Sequence, residues 1–174
     1  ACGNCFVLKP SEKVPLTANR LGILLLEAGL PPGVFNIVHG GREAVDALCR
    51  HPGIAAISFV GSSRVARHVY ELGCQHGKRV QSAGGAKNVL FAMPDAIESG
   101  LAAEAVAADA TIRAIMNSAF GCAGQRCMAG SLIMGIGDSA DELRDQIVEA
   151  MDQLSVGDPV ANAEIGMGPV IDGG

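Results

Sequence analysis

Short apolar runs alternate with helix-periodic segments through the first half of the chain, and that alternation limits the possible folds most. Cys5-Phe-Val-Leu8, Val34-Phe-Asn-Ile-Val38, Ile54 to Val60 and Lys78 to Ser82 each read as a strand. Between the first two, Leu16, Leu21, Leu24, Leu25 and Ala28 fall at helical spacing. Pro15 suits the first turn of that helix, and Gly29 followed by Pro31-Pro32 stops it. A shorter helix from Arg42 to His51 puts Ala44, Val45, Leu48 and Cys49 on one face, and a third runs from Gly61-Ser62-Ser63 to about Leu72. This order predicts an α/β fold with a doubly wound, Rossmann-like parallel sheet and right-handed crossovers. Ile54 to Val60 is nearly all apolar, as expected of a parallel strand covered on both faces.

The composition changes after Ser82. Ala83-Gly-Gly-Ala-Lys87 reads as a small-residue turn and Asn88 to Met93 as a new strand, so a domain boundary is expected between Ser82 and Lys87. An Ala-rich helix from about Ile97 to Ala119 leads to the stretch Asn117-Ser-Ala-Phe-Gly-Cys-Ala-Gly-Gln-Arg-Cys127. A strand follows at Ser131 to Ile136. Ser139-x-x-Glu142 has the form of a capping box, opening a helix with Ala140, Leu143, Ile147, Met151 and Leu154 on its apolar face.

Composition excludes several function classes. Of 174 residues, 49% are hydrophobic, which argues for a packed core and against disorder. There is no Trp and one Tyr, so no platform for stacking nucleic-acid bases is expected. The net charge of −5 with scattered basic residues argues against a phosphate-backbone partner. Cys2 and Cys5 form a C-x-x-C without a second pair at zinc spacing, so no metal is expected. The irregular cysteine spacing points to a reducing, intracellular setting. The run Leu21 to Leu26 is too short to span a membrane and is followed by Glu27. With no initiator Met and an abrupt start and finish, the sequence is expected to be part of a larger protein.

Three constellations carry chemistry. Cys127 stands beside Arg126 on a turn with glycines at Gly121 and Gly124; a neighbouring positive charge favours the reactive thiolate, while the plainer alternative is a packed cysteine. Gly61-Ser62-Ser63 joins a strand to a helix, a corner suited to an anion or to an ordinary Ser N-cap. Lys9 and Glu12 follow a strand end, where open α/β sheets bind ligands, and could hold a nucleotide ribose or simply pair in solvent.

Together these residues resemble the NAD(P)-dependent aldehyde dehydrogenase superfamily. The match runs through Gly3-Asn-Cys-Phe-Val-Leu-Lys-Pro-Ser-Glu12, Phe59-Val-Gly-Ser-Ser63 and Gly124-Gln-Arg-Cys127, and covers essentially the whole chain. Within it, the chain is most similar to the CoA-acylating methylmalonate-semialdehyde dehydrogenase branch, through His76-Gly-Lys-Arg-Val-Gln81, Gly85-Ala-Lys-Asn88, Met93-Pro-Asp-Ala96 and Ala123 to Ala129. The resemblance implies the second part of an NAD-binding domain over residues 1–84 and the first part of a catalytic domain over residues 85–174. It implies that Cys127 attacks an aldehyde, that hydride passes to the nicotinamide, and that a second nucleophile releases the resulting thioester. Lys9 and Glu12, with Lys13 nearby, would hold the adenosine ribose, and Ser62 would meet the pyrophosphate. Arg126 would pair with the carboxylate of a semialdehyde acid. A homotetramer in the cytoplasm, or in the mitochondrial matrix of a eukaryote, is expected by the same analogy.

Departures from the family pattern refine this. Hydrolytic members carry Glu-Leu-Gly-Gly-Lys, whose Glu activates water; the corresponding run here is Ala83-Gly84-Gly85-Ala86-Lys87. Ala83 removes that carboxylate and favours release of the acyl group to coenzyme A. The CoA branch has Asn-Met at Ala83-Gly84, so Gly84 could offer the cofactor only backbone. The segment Ile97 to Ala110 is longer than the family norm. The alternatives are a water-using aldehyde dehydrogenase and an inactive fragment.

Overall fold

The computed structural model describes residues 3–97 and 102–171, with the side chains of 102–108 left aside. Its elements run β1 (Phe6–Leu8), α1 (Pro15–Glu27), β2 (Phe35–Ile37), α2 (Arg42–Arg50), β3 (Ala56–Gly61), α3 (Ser63–Gln75), β4 (Arg79–Gly84), β5 (Asn88–Ala92), α4 (Ala102–Phe120), β6 (Gly130–Gly135) and α5 (Ala140–Asp152). The fold is mixed α/β, and each ladder is parallel: β1 with β2, β3 with β4, and β5 with β6. Two compact units divide between Gly85 and Ala86.

In the first unit, α1 starts on Pro15 and ends in a Schellman motif. Gly29 has φ +89°, its N–H donates to Leu26 O, and Leu30 N–H donates to Leu25 O. The helical spacing of its leucines does not translate into burial. Leu16 and Leu21 are exposed, and the one buried residue is Gly22, where an added Cβ would meet Ile37 Cδ1 at 2.9 Å. The helix therefore approaches β2 through its smallest side chain.

The core of this unit lies between α2, α3 and the β3–β4 pair: Cys49, Val69 and Leu72 are buried against Val45, Ile57, Phe59, Val65 and Val80. Burial pushes the Cys49 thiol up from its ordinary range, so it packs as a small hydrophobe. Gly73 lets α3 close on the strands, since a Cβ there would meet Val80 Cγ2 at 2.6 Å. His68 Nε2 and Asp46 Oδ1 lie 2.6 Å apart and tie α3 to α2, and this hydrogen bond holds the Asp46 carboxyl below the usual range. Lys78 is 7% exposed, and its ammonium donates to His51 O and Ile54 O, both at 2.6 Å. It anchors the end of α2 and the loop before β3 from the start of β4.

The strand β4 continues through Gly84, so Ala83 and Gly84 pair with Val60 and Gly61 instead of forming part of a turn. The turn proper begins at Gly85, φ +64°.

The second unit packs α4 and α5 on the β5–β6 pair around Ala92, Ile97, Ile112, Ile115 and Leu143. Ile97, the expected start of the Ala-rich helix, is not helical. Pro94–Ala96 forms one 3₁₀ turn, Ile97 is fully buried after it, and α4 is described from Ala102. Much of the Ile97 to Ala110 segment, residues 98–101 and the side chains of 102–108, lies outside the described residues. The expected capping box does not form: Ser139 has helical backbone angles and its hydroxyl donates to Ile136 O instead. Glu142 accepts from Gln146. On α5, Leu143, Ile147 and Ala150 face the core, whereas Ala140 and Met151 are exposed.

Replacing Lys78 with Met is expected to destabilise the chain by about 1–3 kcal/mol, because the carbonyls of His51 and Ile54 lose a charged donor. Urea unfolding followed by circular dichroism measures this; a loss below about 0.5 kcal/mol would mean the carbonyls find water.

Candidate active site

The residues singled out from sequence fall into both units. Lys9, Glu12, Lys13, Ser62 and Gly84 belong to the first, and Arg126 and Cys127 to the second.

In the first unit, Lys9 lies just past β1 with its side chain 13% exposed. Its ammonium donates to Gly40 O at 2.6 Å and Pro10 O at 2.5 Å, and pairs with Glu12 Oε2 at 3.2 Å. The strand end, the Glu12 turn and the glycine turn after β2 are thereby drawn together. Glu12 is exposed, and its carboxyl is held below the ordinary range, first by a backbone hydrogen bond and then by Lys9. Lys13 follows on the same turn, its backbone N–H donating to Ser11 Oγ at 3.3 Å.

Ser62 occupies the N-cap of α3 with extended angles, yet its hydroxyl makes no capping bond. It is exposed at the helix start, where backbone N–H groups and the helix dipole favour an anion. Gly84 runs beside this helix start. A Cβ on Gly84 would meet Ser63 Cα at 2.8 Å, Ser63 N at 3.1 Å and Ala66 Cβ at 2.8 Å, so only glycine lets the strand end lie so close. Hydroxyl, helix start and bare backbone therefore adjoin at this corner.

The second unit holds the thiol. After α4 the chain makes a short turn, Gly121–Gly124, in which Cys122 (φ +53°), Ala123 (φ +54°) and Gly124 (φ +72°) are all left-handed. Two consecutive non-glycine residues in that region cost about 1–2 kcal/mol each, so neighbours must hold the turn. Arg126 supplies part of the hold. Its guanidinium lies over Gly121, donating to Asn117 O at 3.3 Å and to Cys122 Sγ at 3.3 Å. The positive group thus engages the Cys122 sulfur, where the sequence suggested a role beside Cys127. The backbone adds Gln125 N–H to Cys122 O and Arg126 N–H to Gly124 O.

Cys127 is exposed and its thiol is free. Its carbonyl accepts from Asn88 Nδ2 at 2.8 Å, and the same amide donates to Ala129 O at 3.0 Å. Gly130 N–H donates to Ser118 Oγ at 3.0 Å, which joins the loop to α4. Gln125 Oε1 accepts from Ile171 N–H. Among the described residues no cluster suited to a metal ion occurs; Cys2 of the C-x-x-C lies outside them. Sequence reasoning missed Asn88 and Ser118 as supports. An Asn at the head of a strand facing a glycine-flanked turn was the available signal for the first.

Comparison with known proteins agrees with the mixed α/β fold. The profile of the aldehyde dehydrogenase family matches residues 1–174. Malonate-semialdehyde dehydrogenase 3 of Geobacillus kaustophilus is 50% identical over 171 residues, which make up 98% of this chain and 33% of that one. Malonate-semialdehyde dehydrogenase of Halalkalibacterium halodurans is 47% identical over the same shares. Methylmalonate-semialdehyde dehydrogenase of Oceanimonas doudoroffii superposes with a TM-score of 0.84 at 44% identity, over 98% of this chain and 33% of its own. A Sinorhizobium meliloti 1021 protein solved in complex with NAD superposes at 0.83, also 44% identical, over 99% and 33%. The chain thus spans about a third of the length of these relatives.

Gly84→Ala is expected to destabilise the first unit by about 1–3 kcal/mol, since the new methyl meets the backbone of Ser63 and cannot turn aside. Thermal unfolding of the variant checks this. A midpoint equal to the parent's would show that the strand end is free to move away from α3.

Proposed function

The chain belongs to the aldehyde dehydrogenase family, and from that membership we propose that it is the nucleophile-bearing segment of a longer NAD-dependent semialdehyde dehydrogenase that forms an acyl-CoA. The observation that carries this is Cys127: an exposed thiol on a turn whose backbone is held by Asn88 and whose approach is held by Arg126. A thiol so fixed can add to a carbonyl carbon without first ordering its own loop. Malonate or methylmalonate semialdehyde is the proposed substrate, in keeping with the relatives' names.

The cofactor-side residues fit NAD. Glu12 would hold the adenosine ribose with Lys13 nearby; Lys9, whose three ammonium hydrogens are engaged, would join by turning the one on Glu12 to the ribose. Ser62, with the backbone of Gly84, would meet the pyrophosphate. When bound, NAD supplies the acceptor for the hydride lost from the aldehyde carbon. The acyl group is then left on Cys127 as a thioester. By family analogy the full-length protein is a cytoplasmic homotetramer. Among the described residues no helix is long and apolar enough to cross a membrane.

Arg126 is the proposed partner of the substrate carboxylate. A guanidinium has five N–H donors. Two of its nitrogens are engaged with Asn117 O and Cys122 Sγ, which leaves donors for an incoming carboxylate. Arg126→Leu in the full-length enzyme is expected to lower kcat/KM for the acid semialdehyde by about tenfold to a hundredfold more than for propanal. Equal losses on both substrates would mean that Arg126 serves the turn alone.

Coenzyme A is the proposed acyl acceptor, because Ala83 has no group to take a proton from water. A general base there would contribute about 10²–10⁴-fold to hydrolysis. A thiol of pKa about 8.5 already supplies some thiolate at neutral pH. With the full-length enzyme, NADH is expected to appear as a burst and then slowly without CoA, and acyl-CoA is expected to dominate with it. By the family resemblance that sets Ala83 where hydrolytic members carry the water-activating Glu, Ala83→Glu should raise the hydrolytic rate, provided the new side chain reaches the thioester. Rapid acid formation by the unmodified enzyme without CoA would restore the water-using alternative.

A further inference from the structure

We infer that Asn88 is a positioning residue for Cys127, acting through the backbone on both sides of Met128. This rests on Cys127 being the nucleophile, as proposed above.

Asn88 is the first residue of β5 and is half-buried. Its side-chain amide donates to the carbonyl of Cys127 at 2.8 Å and to that of Ala129 at 3.0 Å. An Asn side chain has one NH₂ with two hydrogens, and both are used on the two carbonyls that bracket Met128. Rotating the amide would set its oxygen against two carbonyl oxygens, so the hydrogen bonds themselves fix its orientation.

The strand pairing beside it is irregular in a way that suits this role. Asn88 is opposite Gly130, but Val89 is opposite Leu132, so Ser131 is an extra residue on β6. Bulges of this kind bend one strand and re-aim what precedes it. Asn88 bridges the place where the regular ladder ends. Ala129 is 3% exposed, so its carbonyl has little access to water in exchange. From Ala129 the path runs outward to Cys127, which is exposed, and to the adjoining left-handed turn. With both carbonyls fixed to β5, the peptide planes on either side of Met128 have set orientations. The Cα–Cβ direction of Cys127 is set with them.

No other residue type does this equally well. Asp at 88 has the same shape but, when ionised, presents oxygen to two carbonyl oxygens. When protonated it regains one donor. Ala keeps neither donor at any pH. The two substitutions therefore separate a hydrogen-bonded clamp from general packing.

The test uses the full-length enzyme with malonate semialdehyde, NAD and CoA. Asn88→Ala is expected to lower kcat by about tenfold to a hundredfold while KM for the aldehyde changes by less than about threefold, as for a displaced but chemically intact nucleophile. Asn88→Asp should be equally slow at high pH and should recover relative to the parent as the pH falls, whereas the Asn88→Ala ratio should stay flat. Hydrogen exchange of peptides covering 121–130 should rise in both variants at high pH, with the rest of the chain unchanged. If Asn88→Ala does not fold, the pH dependence of Asn88→Asp carries the test by itself. A kcat within twofold of the parent, unchanged exchange in the loop, or Asp and Ala variants that track each other across pH would each overturn the inference. An unmodified enzyme that oxidises no aldehyde, or that keeps its rate after Cys127→Ala, would overturn the nucleophile assignment instead.

Discussion

A left-handed turn made from Cys122 and Ala123 sits between the helix α4 and the thiol, and it can exist only if its surroundings hold it. Side chains with a Cβ resist that conformation by about 1–2 kcal/mol each. The offset comes from an array of hydrogen bonds around one loop. Arg126 reaches back to Asn117 O and the Cys122 sulfur, Ser118 takes the Gly130 N–H, and Asn88 takes two carbonyls. Individually such bonds contribute about 0.5–1.5 kcal/mol, or more when charged. Together they are of the size needed to keep a strained turn in one place. A strained loop fixed by its neighbours is a common arrangement at sites that must present a reacting atom.

The first unit solves a different problem by close packing. Gly84 and Gly73 bring β4 against α3 at separations that any side chain would prevent, and Gly22 does the same for α1 on β2. The strand end and the helix start then share one corner, with the Ser62 hydroxyl outside the helix ladder. Lys9 is bound to two carbonyls and to Glu12, so its ammonium is held in place rather than swinging in solvent. Lys9 is therefore ordered before any cofactor arrives, which lowers the entropy lost on binding.

Much of this was legible in the sequence, for identifiable reasons. The alternation of apolar strands with helical periods gave the parallel α/β order, because the periods of 2 and 3.6 leave different marks. Helix ends set by local backbone geometry, Pro15 at the start of α1 and Gly29 after its end, are legible in the same way. Features that depend on long-range contacts were not. The leucines of α1 have a helical period yet stay largely exposed, and period alone says nothing about what covers a face. Ser139 and Glu142 have capping-box spacing, yet Ser139 is already helical and buried, so its hydroxyl turns to Ile136. At the candidate site, Cys127 was visible through its neighbours in sequence. Asn88, 39 positions away, was not visible as its support, and the positive φ of two non-glycine residues has no sequence signature.

In the proposed reaction the acyl group passes through a bond to Cys127. Full-length enzyme mixed with malonate semialdehyde and NAD, without CoA, and quenched in acid would show it by peptide mass spectrometry. An acyl mass on the peptide containing Cys127, absent when CoA is added before the quench, is the result expected. NADH formation with no acyl mass on that thiol, or with the mass on Cys122, would contradict the account.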